Sequence, residues 1–153
     1  MMQALNNLQE SEQTMLSSEE IRLFASLGFQ AAIEGYSSIS MDIFEGLRGL
    51  LGDQVWICIG IAISHIYGNR PKAAASFLQN HALRIFPDDP QLKLFLSLAY
   101  MLQKLPTKAN SVLEKLNIQG LLNTQDELLK NKIQDKVSEM NVNGDFPKPA
   151  VID

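Results

Sequence analysis

Two stretches of this chain match when the sequence is shifted by 35 residues, and this internal repeat constrains the fold more than any other feature. Residues 60–78, GIAISHIYGNRPKAAASFL, then lie over residues 95–113, FLSLAYMLQKLPTKANSVL. The positions that agree include Pro71 with Pro106, Ala74 with Ala109, and Ile63 with Leu98. A weaker copy, residues 27–47, precedes them. The chain is therefore expected to contain three copies of one structural unit.

A repeat in the mid-thirties is the period of paired antiparallel helices, as in tetratricopeptide arrays. One helix pair cannot bury its own apolar face, so successive pairs stack and share a continuous core. The repeat therefore predicts an all-α fold, namely a right-handed, tetratricopeptide-like (TPR-like) superhelix of three helix hairpins plus a C-terminal capping helix.

The central hairpin shows most clearly how each unit is built. Residues 55–67 form a long apolar run that predicts the first helix. Gly68 and Asn69 are residue types that tolerate left-handed backbone, so the chain can turn there. Pro71 suits the first turn of the second helix. A strand is the alternative for residues 55–67, because alternate residues are β-branched, but the run is long for a strand and its surroundings have helical spacing.

The chain divides into three predicted regions. Residues 1–16 are expected to be a flexible N-terminal segment, because they are mostly polar. Residues 17–141 are the TPR-like helical repeat domain, which starts at Ser17 as a hydroxyl cap followed by acidic residues. Residues 142–153 contain glycine and prolines and are expected to be a disordered tail.

Charge and hydropathy argue against two classes of partner. The net charge is −4 and no basic run occurs, so no nucleic-acid partner is expected. The apolar run at 55–67 is shorter than the roughly 20 residues that span a bilayer, so no membrane insertion is expected. These features favour a soluble, intracellular protein.

The sequence offers few residues for catalysis. It has one cysteine, Cys58, and two histidines, His65 and His81, without metal-ligand spacing. No glycine-rich loop follows a strand, so the phosphate-binding motifs are absent. A titrating pair of His65 and His81 is conceivable, but two packing histidines are the favoured interpretation. We therefore predict no enzyme activity, no catalytic residue, no metal site and no cofactor.

The informative feature is an excess of apolar residues on the first helix of each unit. A helix that faces a core on one side should be polar on the other, and residues 55–67 and 92–102 are not. The residues predicted to line a partner-binding groove are Trp56, Ile63, Ile66, Tyr67, Leu94, Leu98, Met101 and Leu102. Such a groove suits an amphipathic helix or an extended apolar peptide. The alternative is that these residues are core, buried under the terminal helices.

Residues 21–116 resemble a known family in repeat layout and hydrophobic pattern. Three helix pairs, a polar N-terminal segment and acidic character are similar to the small TPR-like chaperones of type III secretion systems. The segments WICIGIAISHIYGNRPKAAASFL and LSLAYMLQKLPTKANSVLEKL look most like needle-subunit chaperones of the YscG/PscG type. The offset of Trp56 from Ala74 and the position of Pro87 depart from the tetratricopeptide consensus.

This resemblance implies a non-catalytic role in the bacterial cytoplasm. The family holds the self-associating helix of a secreted needle subunit in its concave groove before export, often together with a small helical co-chaperone. A translocator-type secretion chaperone, which grips an extended segment of a pore-forming protein, is the first alternative. A general TPR scaffold for protein–protein interaction is the second alternative.

Overall fold

A computed structural model of the protein describes residues 16–117 and 124–143, and all regular structure in these ranges is helical. Seven helices lie in these two ranges: α1 (Ser18–Ile33), α2 (Ser37–Leu51), α3 (Val55–Tyr67), α4, α5 (Pro90–Leu102), α6 (Pro106–Asn117) and α7 (Thr124–Asn143). Helix α4 has three consecutive parts, Pro71–Phe77, a π-helical turn Leu78–Ala82, and Leu83–Ile85. The predicted all-α fold of three hairpins and a final helix is confirmed, and the strand alternative for residues 55–67 is wrong.

The sequence repeat coincides with the helix boundaries. Helices α3 and α5 start at Val55 and Pro90, and each has 13 residues. Their partners α4 and α6 start at Pro71 and Pro106, which are also 35 positions apart. The helix capping groups follow the local sequence, since Asp89 accepts a hydrogen bond of 2.9 Å from the Leu92 amide at the start of α5.

The three hairpin corners share one backbone geometry. Each corner places one residue in left-handed backbone: Gly35 with φ 91°, Asn69 with φ 57° and Lys104 with φ 59°. The amide that follows each of them donates to a carbonyl five residues earlier, as in the 2.8 Å bond from Arg70 to His65. The sequence predicts that Gly68 shares the left-handed turn, but its φ is −77°. A Cβ on Gly68 would lie 2.9 Å from Ser37 Oγ, so close packing against α2 explains that glycine.

Lys104 is the non-ideal member of this set, and its replacement is expected to stabilise the fold. In left-handed backbone, an L-residue such as lysine is less stable than glycine by about 1 kcal/mol. Lys104→Gly should therefore raise the free energy of unfolding by up to about 1 kcal/mol. The matched control is Lys132→Gly, at an exposed position inside α7, which should lower it by about 1 kcal/mol. Urea denaturation of the two variants measures both changes, and equal losses would contradict the argument.

The helices form two layers with different packing. The odd-numbered helices contact one another in series, α1 with α3, α3 with α5, and α5 with α7. The even-numbered helices α2, α4 and α6 pack mainly on the odd-numbered helices beside them. A layer whose members touch in series follows the shorter, inner curve of a superhelix. The odd-numbered helices therefore provide its inner face.

The core of this array consists of two clusters, and the partly buried Phe29 and Phe77 pack against both of them. A larger cluster joins α3 through α7 and includes Leu78, Leu92 and Leu113, all fully buried. A smaller cluster of Phe44, Leu47, Ile57 and Ile61 joins α2 to α3. Ala74 and Ala109, the repeated small residues, are both 0% exposed, so each allows a close helix contact.

The predicted boundaries of the domain, residues 17 and 141, stay predictions, and the structure describes the first and last helices near them. Ser17 caps α1, accepting from the Glu20 amide at 3.2 Å, while Glu20 accepts from the Ser17 amide at 2.7 Å. Helix α7 buries Ile133, Val137 and Met140, whereas Leu128 is 58% exposed. The predicted flexible segment 1–16 lies outside the described residues except for Leu16, and the predicted tail 142–153 lies outside them except for the end of α7.

Candidate functional site

The inner face carries an apolar stripe at equivalent positions of successive repeats. Ile63 and Tyr67 lie one turn apart on α3, and the repeat offset of 35 places Leu98 and Leu102 at the same positions of α5. Tyr67 is 53% exposed and Leu102 is 43% exposed. Ile63 and Leu98 are half-buried and pack against the larger core cluster. The same chemistry therefore recurs at the same place in two neighbouring units.

Trp56 extends this stripe to the first hairpin. It is half-buried and packs against the smaller core cluster, and its indole Nε1 donates to Gln54 Oε1 at 2.9 Å. Its side chain lines an open cavity of about 330 Å³ between α1 and α3. The other lining residues are Ser18, Ile21, Arg22 and Ala25. At this end of the inner face, the apolar surface of Trp56 therefore lies beside one cationic side chain, Arg22.

The eight residues predicted for the groove divide into two groups. Six keep surface accessible to solvent: Trp56, Ile63, Ile66, Tyr67, Leu98 and Leu102. Leu94 is 0% exposed and Met101 is 9% exposed, and both belong to the larger core cluster. These two side chains are therefore core residues in this structure, because α3, α6 and α7 all pack on α5. We use the name inner groove for the six accessible residues, and that they line a groove for a partner stays a prediction.

A second apolar surface was not anticipated as a surface from the sequence. Along α2, Ile39, Ile43, Gly46 and Leu50 recur every three or four residues and line an open cavity of about 360 Å³. Phe24 from α1 and Leu16 close its sides. Ile39 is 53% exposed and Leu50 is 59% exposed. We call this surface the N-terminal face. Helix periodicity did not reveal it as a surface, because these residues have the same spacing as core residues.

The two histidines have separate surroundings. His81 lies on the π-helical turn of α4, with Nε2 2.8 Å from Asp53 Oδ1, and its ring stacks on Phe77 at 5.2 Å between centroids. This contact joins the turn after α2 to α4. Burial lowers the pKa of His65 below its ordinary 6.5, and Arg70 lowers it further. Nδ1 of His65 is buried and has no hydrogen-bond partner within the described ranges. His65 is therefore a neutral packing side chain at pH 7.

Cys58 is fully buried on α3, and its thiol is expected to be unreactive in the folded protein. Burial raises the pKa of Cys58 to about 11, and the charge of Asp53 adds to the effect. Because the thiolate is the nucleophile, native protein should react with a disulfide reagent at pH 8 far more slowly than protein unfolded in guanidinium. Thiol titration in both conditions measures this, and similar rates would show that α3 opens readily.

The described helices give no sign of a metal site or a membrane span. No group of three or more histidine, cysteine, aspartate or glutamate side chains is placed to bind a metal ion in residues 16–117 and 124–143. In the same ranges, no helix combines the length and the apolar character needed to cross a bilayer.

Stacked helical hairpins with a period of 34 to 35 residues between corners define the TPR-like class, and this chain has that fold. Two solved structures are similar to it. The crystal structure of PcrH from Pseudomonas aeruginosa has a TM-score of 0.67 at 13% identity, covering 83% of this chain and 96% of that one. The Yersinia enterocolitica type III secretion translocator chaperone SycD also has a TM-score of 0.67, at 12% identity, covering 89% of this chain and 93% of SycD.

Comparison of the amino-acid sequence with known families and proteins does not assign the chain to a family. No protein-family model matches the chain, and no curated protein matches it. At 12 to 13% identity, the two structures establish what the chain folds into. The accessible side chains of the inner groove are the feature of the molecule that indicates what kind of partner it could bind.

Proposed function

We propose that this protein is a non-catalytic chaperone of a type III secretion system, holding an apolar segment of a secreted subunit in its inner groove before export. The observation that carries the proposal is the repeated apolar stripe, in which Ile63 and Tyr67 of α3 recur as Leu98 and Leu102 of α5. These side chains remain accessible although they lie beside a complete core. An apolar client segment would remove them from water.

A translocator-type client is the first choice. SycD is itself a translocator chaperone by name, and its fold matches over almost its whole length. The stripe also suits an extended segment, because α3 and α5 present accessible apolar side chains at equivalent positions, and Trp56 of α3 lines a further cavity against α1. Arg22 at that cavity would suit an acidic or carbonyl group of the client.

A needle-subunit client is the second candidate. The sequence segments around residues 56–78 and 96–116 resemble needle-subunit chaperones in hydrophobic pattern. In that case the client would be an amphipathic helix, and a small co-chaperone could accompany it. Both candidates place the protein in the bacterial cytoplasm, where an unexported subunit is held, and neither requires a cofactor, a nucleic acid or insertion into a membrane.

Co-expression in a bacterial host tests the proposal directly. The tagged chain is produced with the translocator subunits of its own secretion system in one culture and with the needle subunit in another. A translocator client predicts a stable complex in the first culture, with protection from hydrogen exchange along α3 and α5. A needle client predicts a 1:1 complex that keeps an otherwise polymerising subunit in solution. Recovery of the chain alone in both cultures would refute the chaperone role.

A further inference from the structure

The hairpin of α1 and α2 carries most of the exposed large apolar side chains in residues 16–117 and 124–143. Seven of the eleven lie on it: Leu23, Phe24, Leu27, Ile33, Tyr36, Ile39 and Leu50. Three of these, Phe24, Ile39 and Leu50, line the cavity of the N-terminal face. Clustered exposed apolar side chains mark sites of interaction with other molecules. We propose that the N-terminal face binds a basic amphipathic helix of another protein, at a site separate from the inner groove.

The shape of the N-terminal face suits a helix. Ile39, Ile43, Gly46 and Leu50 follow one side of α2 over a length of about 16 Å, and Phe24 of α1 stands beside them. A partner helix lays its own apolar side into a groove with walls of this kind. A Cβ on Gly46 would meet nothing within 4 Å among the described residues, so a partner can approach the backbone of α2 closely. The groove therefore accommodates about three turns of helix.

The charge of this hairpin indicates that the partner is basic. Residues 16–52 contain five acidic and two basic side chains, which gives a net charge of −3 out of −4 for the whole chain. Of the two basic residues, Arg48 forms a 3.2 Å ion pair with Glu45, and Arg22 lines the separate cavity beside Trp56. The hairpin therefore attracts a cationic segment, most strongly at low salt.

Asp42 is the group that would contact a cation of the partner. It is exposed and lines the cavity next to Ile43. Among the residues that line this cavity in the described part of the chain, no other is charged. Within residues 16–117 and 124–143, its carboxylate takes part in no hydrogen bond and no ion pair. A lysine or arginine at the edge of the partner's apolar stripe would pair with Asp42 as the apolar side chains leave water.

The same charges argue against two other occupants. In a symmetric pair of chains, the same surface of both copies would meet. Two unpaired Asp42 carboxylates would then share one apolar interface, between two hairpins that each have a net charge of −3. Residues 1–15 contain Glu10 and Glu12 and no lysine or arginine, so their side chains offer no cation. The charge balance therefore favours a helix from another protein.

The N-terminal face is independent of the inner groove. It shares no lining residue with the six accessible groove residues or with the cavity beside Trp56. Most of its lining lies on α2, an even-numbered helix, whereas the apolar stripe of the groove lies on α3 and α5. One chain can therefore hold a partner at each surface, and the binding of a basic helix does not depend on the chaperone role.

Binding of designed helical peptides to the full-length chain tests the proposal. Each peptide has about 18 residues, or five turns, with a leucine stripe that matches the spacing on α2. The members of one set carry a single lysine at different edges of the stripe, and those of a second set carry glutamate there. Fluorescence anisotropy at low salt measures the affinities. The best lysine peptide should bind at least about tenfold more tightly than its glutamate counterpart.

Charge reversal identifies the residue responsible. Asp42→Lys should reverse the preference, so that the glutamate peptide binds more tightly than the lysine peptide. The matched control is Glu34→Lys, which makes the same change of charge on the same hairpin but at a residue that does not line the cavity. It should leave the lysine peptide preferred. Equal binding of the two peptide sets by the parent chain would overturn the proposal.

Two further variants locate the bound peptide. Ile39→Asp with Leu50→Asp places charges at positions that are 53% and 59% exposed, so the unfolding temperature should change little while peptide binding is lost. Tyr67→Asp with Leu102→Asp alters the inner groove and should leave peptide binding intact. Loss of binding in the inner-groove variant, with binding kept in the other, would assign the peptide to the inner groove and overturn the proposal.

Light scattering on the full-length chain separates the remaining occupants. A monomer that binds the lysine peptides supports the proposal. A dimer that Leu50→Asp converts to a monomer would assign the N-terminal face to a second copy and overturn it. A monomer that binds neither set of peptides would show that the face accepts no basic helix, and this too would overturn it.

Discussion

The variant Tyr67→Asp with Leu98→Asp is expected to lose the client complex. Both side chains lie on the apolar stripe of the inner groove, one on each of two adjacent odd-numbered helices. A carboxylate at either position would be buried against apolar client atoms without a partner. The few hot-spot residues of an interface, which cluster near its centre, contribute about 2 kcal/mol or more each, and we expect Tyr67 and Leu98 to be among them. The two changes together should therefore weaken binding by at least about 100-fold.

This result must be separated from loss of folding. Leu98 packs against the larger core cluster, so Leu98→Asp destabilises the chain as well. A second variant, Tyr67→Asp with Leu102→Asp, places both charges at positions that are 53% and 43% exposed. Its unfolding temperature should stay close to that of the parent chain, while its binding falls in the same way.

The matched control is Ile85→Asp at the end of α4. Ile85 is 45% exposed, almost the same as Leu102, but it belongs to an even-numbered helix outside the inner layer. Its replacement should leave the client complex intact. Isothermal titration with the purified client segment measures all three variants. Equal loss of binding by Ile85→Asp and by the inner-groove variants would place the client elsewhere.

The repeat architecture could be predicted because it depends on local chemistry that recurs at a fixed offset. Pro71 and Pro106 each fit the first turn of a helix. Asn69 tolerates the left-handed corner, and Lys104 occupies the same corner at a small cost. These preferences require no knowledge of the neighbouring helices. The starts of α3, α4 and α6 and the corner at Asn69 therefore followed from the sequence, whereas the left-handed corner at Lys104 was not predicted.

The accessible surface could be predicted only in part, because burial depends on where neighbouring helices pack. Leu94 and Leu98 are the same residue type on one helix, yet Leu94 is 0% exposed and Leu98 is half-buried. No pattern within an almost entirely apolar helix distinguishes them. The N-terminal face shows the same limit, since Ile43 and Leu50 have the spacing of core residues when the next element is unknown. Which side of a hairpin is left uncovered is a tertiary property that helix periodicity does not report.

Gly60→Ala is expected to be strongly destabilising, because Phe44 occupies the space beside Gly60. The Phe44 ring is 0% exposed and packs edge-on against Phe29, with centroids 4.7 Å apart. On its other sides it touches the backbone of Gly28 and Gly60, and a Cβ on Gly60 would overlap three of its ring atoms. Because the ring is fully buried between these neighbours, we expect α2 and α3 to move apart to admit the added methyl group. Overpacking of this kind typically costs about 1–3 kcal/mol.

Two further variants identify the ring as the cause of that loss. Gly49→Ala introduces the same methyl group into α2 where nothing lies within 4 Å, and it should stabilise the fold by about 0.5–1 kcal/mol. Phe44→Leu removes part of the ring and should recover much of the loss when it is combined with Gly60→Ala. The resulting double-mutant cycle should show a coupling energy of at least about 1 kcal/mol. Additive effects of Gly60→Ala and Phe44→Leu would mean that the overlap is relieved elsewhere, and that α2 and α3 are held together by contacts other than this ring.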